Sequence, residues 1–181
     1  MVVSTKIKDV MNTEMHFSTP IYTIEKPEFL KSAINATDKF IKASYEMNKV
    51  KDHGMSYHST LINGDPGLKD LEQYIGATSY NLMTEWGYDI GKYQMYFTEF
   101  WVQEFSKNGG GHHSTHVHWD NHISGFYFLK ASDKTSYPIF HDPRAGAMMT
   151  KLPQKDETKV SPMTDKIHIR PKPGTLVFFP G

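Results

Sequence analysis

His116-Val117-His118-Trp119-Asp120, running on through Asn121 and His122 into Ile123-Ser124-Gly125-Phe126-Tyr127-Phe128-Leu129, is the stretch on which the reading of this chain turns. Side chains two apart on a strand point to the same side. An extended segment would therefore put His116 with His118, and His118 with Asp120. Imidazole is the commonest neutral metal ligand, and a carboxylate beside it selects harder metals such as iron or manganese. Either pair can seat one ion from a single strand end, with a third ligand from elsewhere completing a set on one face of the metal. Asp120 beside Asn121 also reads as a turn. The histidines are unevenly spread: of ten, six lie between His112 and His141, namely His112, His113, His116, His118, His122 and His141. The cluster follows a break at Gly109-Gly110-Gly111 and leads into a strand, which favours a ligand segment over a solvated loop.

Working outward, the chain downstream is a series of short apolar runs between turn residues. His122 to Lys130, Tyr137 to His141, Ile167 to Arg170 and Thr175 to Phe179 read as strands, and Lys92 to Phe105 as a longer one dense in Tyr, Phe and Trp. Upstream the period changes. Leu30, Ile34, Thr37 and Ile41 recur at helical spacing behind Pro27, predicting a helix to about Asn48. Leu68, Leu71, Ile75, Thr78 and Leu82 predict a second helix that ends near Gly87. Short strands are expected at Phe17 to Ile24, where Pro20 suggests a sheet edge, and at Met55 to Ile62. Helices first and strands later is an α+β arrangement, and many short strands broken by Gly and Pro suggest a jelly-roll sandwich or barrel.

The length of 181 residues suits one domain. Hydrophobic residues make up 38% and aromatic residues 13%, enough for a packed, β-rich core. Lys plus Arg and Asp plus Glu are 20 each, so no net basic charge draws the chain to nucleic acid. There is no cysteine, which excludes disulfides, zinc ribbons and thiol catalysis. Met1 to Met11 has no apolar core of a secretory signal, and no apolar run is long enough to span a membrane. A cytoplasmic location is expected.

Four elements now stand in order: His116 and His118; Ser124 to Leu129; Asp142-Pro143-Arg144; and Pro171-Lys172-Pro173-Gly174 leading into Thr175 to Pro180. In that order and spacing they resemble the 2-oxoglutarate/Fe(II)-dependent oxygenase superfamily, nearest to an uncharacterised group common in marine bacteria and their phages. The resemblance is close from Trp101 onward and loose before it. It implies one domain over residues 1–181: a double-stranded β-helix (jelly roll, cupin-like) over about 91–181, with a helical part over about 1–90 packed on it. It implies Fe(II), 2-oxoglutarate as co-substrate, and O2. The metal ligands it points to are His116, His118 and Asp120, the pair being either His116 with His118 or His118 with Asp120. Tyr127, Ser124 and Arg144 become candidates for holding 2-oxoglutarate, and Trp119 and Trp101 for lining a substrate pocket. For Tyr127 and Trp101 core packing is the alternative, and for Arg144 a salt bridge within its own turn. The superfamily's last metal histidine, and the basic residue that pairs with the far carboxylate of 2-oxoglutarate, fall beyond Gly181, so the C-terminus is expected to be clipped.

The implied activity is hydroxylation of a protein side chain or small metabolite, without nucleic acid or membrane as partner. Two other classes fit the same residues. A jelly roll also serves binding and structural proteins. A metal cupin independent of 2-oxoglutarate would draw extra histidines from His112, His113 and His141. Exposed edge strands leave room for a homo-oligomer.

Overall fold

Pro27 opens a short 3-10 turn, Pro27–Phe29, which feeds α1 (Leu30–Asn48). The helical spacing of Leu30, Ile34, Thr37 and Ile41 is thus realised, and Ala33 and Ala36 turn inward on the same side. Asp65 starts the second helical stretch by accepting a hydrogen bond from the Gly67 N–H, and α2 (Lys69–Glu85) follows. Gly87 ends it with φ +92, while the Gly87 and Tyr88 N–H groups donate back to the Thr84 and Met83 carbonyls. Glycine meets no steric penalty in that left-handed conformation. The computed structural model describes residues 11–48, 56–105, 111–144, 146 and 152–181. The Met55 start of the second expected strand, Gly109 and Gly110 of the glycine break, and the N-terminal stretch before Met11 lie outside the described residues.

The remaining elements are β1 (Tyr22–Glu25), β2 (Ser56–His58), β3 (Gln103–Phe105), β4 (Ile123–Tyr127), β5 (Ile139–His141), β6 (Lys166–His168) and β7 (Thr175–Pro180). They form three antiparallel sheets: β1-β7-β4, β2-β3 and β5-β6. β7 is central, and β1 is an edge strand, but it begins at Tyr22, after Pro20, so residues 17–21 of the strand expected at Phe17 to Ile24 are not strand. Gly125 of β4 pairs with Phe178 and lies so close to the Val177 carbonyl that a Cβ there would overlap it.

Alternation along β7 gives the main sheet two working faces. Leu176 and Phe178 point to the helices and join Ala33, Ala36, Ile62, Leu68, Leu71, Leu82 and Val102 in the core, with Tyr22, Ile123 and Tyr127 packed against them. Thr175, Val177 and Phe179 point the other way, with Ser124 and Phe126 of β4 beside them by register. Phe140 of β5 covers that second face, its ring 6.3 Å from Phe126 and 5.0 Å from Phe179.

The fold is α+β with two helices and small antiparallel sheets. Among the described residues these sheets do not close into a barrel. The expected strand from Lys92 to Phe105 is corrected: only Gln103–Phe105 is strand, although Ser59 and Ile62 extend the contact by donating to the Val102 and Phe100 carbonyls. Residues 92–99 have no partner strand among the described residues, so aromatic β propensity has nothing to act through. Tyr93 and Tyr96 instead stand 75% and 79% exposed. The segment 111–118, expected to enter a strand, is irregular up to a turn at Trp119 and Asp120.

Candidate metal centre

Although it is not a strand, the histidine segment brings its imidazoles together. The rings of His116 and His118 lie 4.9 Å apart, and His113 stands edge-on to His116 at 5.3 Å. His118 reaches the second face of the main sheet and meets Phe179 edge-on at 5.4 Å. Each position has a cause in the chain. The Thr98 hydroxyl donates to the Asn121 side-chain oxygen at 2.6 Å, and the Gly181 N–H donates to the His122 carbonyl at 3.3 Å. Gly181 also lies against the backbone of Asn121 and His118, where a Cβ would overlap the Asn121 carbonyl. The end of β7 therefore backs the turn that follows His118.

The chemistry of these rings suits a cation. His116 Nδ1 is 2.7 Å from the Ser114 carbonyl. A carbonyl only accepts, so Nδ1 is the donor, and in the neutral ring the Nε2 lone pair is left for a ligand. Burial holds His118 below its usual protonation range, and His116 beside it adds to this, with Glu99 pulling weakly the other way. Burial also depresses His113, helped by His116, His58 and His112. Neutral imidazole is the form that binds a metal. Two donors of the right kind are thus adjacent. The third is not assembled: no group of three His, Asp or Glu side chains is placed to hold one ion among the described residues. Asp120 takes a left-handed turn conformation, φ 66, and its side chain is exposed.

The other candidates separate by face. Ser124 pairs with Phe179 and so lies on the face that His118 meets. Tyr127 lies on the opposite face, packs against the core, and donates its hydroxyl proton to the Lys26 carbonyl at 2.7 Å. Arg144 grips Asp142 with two contacts, Nε to Oδ1 at 3.0 Å and Nη2 to Oδ2 at 2.6 Å. The Arg144 N–H adds a third, and together they hold the Asp142 carboxyl down at about 2. This is the salt bridge within the turn. Trp101 is half-buried and stacks on His58 at 4.6 Å, whereas Trp119 is 79% exposed. His141 alternates with the inward Phe140 and faces outward, and His168 packs beside Tyr137 at 5.0 Å, so neither joins the cluster.

Two residues join the site without a signal in the local sequence. β2 pairs with β3 so that His58 stands opposite Gln103. Phe105, on the same side of β3, meets His113 edge-on at 6.4 Å. His58 and Gln103 thus share the face of this small sheet that looks toward the histidine segment. Only the strand register brings them there, and neither lies within a motif.

A mixed α+β chain that gathers histidines against the face of an antiparallel sheet has the makings of a metal-dependent protein. Residues 99–181 match the family model described as "Putative 2OG-Fe(II) oxygenase", a stretch that takes in β3 to β7 and the whole His116 to Asp120 segment. The later part of the chain is therefore similar to that family, whose description implies Fe(II) and 2-oxoglutarate. A search of curated proteins found no match to the chain. No helix of the described residues is long and apolar enough to cross a membrane.

Proposed function

We propose that the chain is an Fe(II)- and 2-oxoglutarate-dependent oxygenase domain of the double-stranded β-helix type, hydroxylating a protein side chain or a small metabolite. The observation that carries this reading is the adjacency of His116 and His118, the latter shielded by burial and next to Phe179, inside the stretch that matches the oxygenase family. His116 and His118 would hold the iron, with Asp120 as the carboxylate alternative to His116. When bound, Fe(II) and 2-oxoglutarate supply the oxidising power that puts oxygen from O2 into a C–H bond. The chain's own residues orient and enclose. The hydrogen bond from His116 to Ser114 fixes its ring, Phe179 and Phe140 keep water from one side, and Ser124 offers a hydroxyl on the same face. Arg144 is a cofactor contact in this reading only through the part of its guanidinium that Asp142 leaves exposed.

His113 favours a second reading, a histidine-rich metal site that needs no 2-oxoglutarate, because its ring joins that of His116. One experiment separates the two. Fe(II) is titrated anaerobically into the protein with and without 2-oxoglutarate, and the weak visible band of an iron–oxoacid chelate is followed in wild type and in His118→Ala. The oxygenase reading expects a band that needs both additions and is lost in the variant. Metal binding indifferent to the oxoacid would support the second reading, and no metal binding would remove both.

A further inference from the structure

The face of β2 and β3 carries two polar groups that the metal site does not use. Gln103 Nε2 is buried and has no hydrogen-bond partner among the described residues. Such a donor is costly to leave unmet, so its presence calls for an acceptor from outside. Directly across the strands, His58 Nδ1 lies 2.8 Å from the Ser59 carbonyl. That carbonyl can only accept, so Nδ1 is the donor, and in the neutral ring Nε2 is left as an acceptor. Cross-strand neighbours have Cβ atoms about 5 Å apart. Trp101 stacks on His58 and Phe105 meets His113, so flat apolar rings flank the pair.

We infer that Gln103 and His58 together read a primary carboxamide on the substrate. One donor beside one acceptor matches a group that offers an oxygen and an N–H on the same edge. A primary carboxamide does so. A trans peptide bond does not, because its C=O and N–H point in opposite directions. A carboxylate offers acceptors only, so one of its oxygens would face the lone pair of a neutral His58 with no proton between them. Nucleobases also present paired edges, but a chain with 20 basic and 20 acidic residues lacks the positive charge that draws nucleic acid. The substrate class is thus a side chain or metabolite ending in –CO–NH2. The inference deepens the oxygenase reading and rests on it for the word substrate, but the binding step needs no metal.

The probe is N-acetyl-asparagine N-methylamide, compared by calorimetry with its side-chain N,N-dimethyl amide and with the blocked aspartate, on the full chain without metal. Wild type is expected to bind the primary amide at least tenfold more tightly than either analogue, and Gln103→Glu to abolish that preference. Equal binding of the three ligands, or no binding, overturns the inference. The wild-type ligand comparison decides the matter even if the variant fails to fold. An iron–oxoacid band without amide preference would leave the oxygenase reading standing and this inference fallen. Amide preference without that band would do the reverse.

Discussion

The His118 imidazole stands edge-on to the Phe179 ring, centroids 5.4 Å apart, and this contact ties the histidine segment to the central strand of the main sheet. Phe179 in turn packs on Phe126 at 6.0 Å and Phe140 at 5.0 Å. Phe179→Ala should therefore loosen both the second face and the histidine. The ring is half-buried, so a loss of about 1–3 kcal/mol is expected, below that of a fully buried Phe. Chemical denaturation measures the stability, and a His118 NMR titration should move toward the ordinary histidine value as solvent enters. An unchanged His118 titration would show that Phe179 does not shield it.

Acid should weaken the fold through the same histidines. The folded-state values of His118 and His113 lie below the ordinary 6.5, chiefly through burial. The unfolded chain thus binds more protons in that range, and stability rises with pH there. The contribution is complete above about 6.5 and is lost as pH falls from there through the folded values. Thermal melts between pH 7.5 and 5 should show Tm falling with pH, and His118→Phe should flatten part of that slope. A slope identical in wild type and variant would count against the shielded position of His118.

Tyr127→Phe tests whether that tyrosine serves the fold or the site. It removes the hydrogen bond to the Lys26 carbonyl, on the face away from His118. The expected cost is about 1 kcal/mol of stability. Iron and 2-oxoglutarate binding should be unchanged. A tenfold loss of 2-oxoglutarate affinity with stability intact would return Tyr127 to the co-substrate.

Gly181→Ala should act on the metal segment from a distance in sequence. Its Cβ would overlap the Asn121 carbonyl and press on that of His118, so the turn after His118 has to shift. Metal affinity is expected to fall several-fold while the helical circular dichroism stays the same. Gly125→Ala is the contrasting case. There the overlap is with the Val177 carbonyl inside the sheet, and destabilisation of about 3 kcal/mol, near the upper end for overpacking, is expected in the thermal melt.

Periodic elements were readable because their pattern is local. Leu30, Ile34 and Ile41 mark α1 by spacing alone, and Thr175 to Phe179 mark β7 as an unbroken apolar run between a turn and the chain's last residues. The run from Lys92 was misread for the opposite reason. Whether Tyr93 and Tyr96 lie in a strand depends on a partner far away in the sequence, and none pairs with them among the described residues. The site divides in the same way. His116 and His118 stand out by composition, but they meet within an irregular segment that Gly181 backs at His118, not through strand alternation. His58 and Gln103 are set opposite each other by register between distant segments, which spacing does not encode. Arg144 was weighed between ligand and ion pair, and two residues of separation from Asp142 let the ion pair form.

The place of β7 between β1 and β4 has a consequence for how the protein is made. Lys172, at the approach to β7, bonds Glu25 of β1 across 147 positions. During synthesis β1 and β4 leave the ribosome long before the strand that joins them. Each then waits with an unpaired edge, and the face that His118 rests on does not yet exist. Such late, long-range closure is slow and exposes strand edges to other chains. Whatever ion or substrate the histidines serve, the centre is put together late, in the step that seats β7.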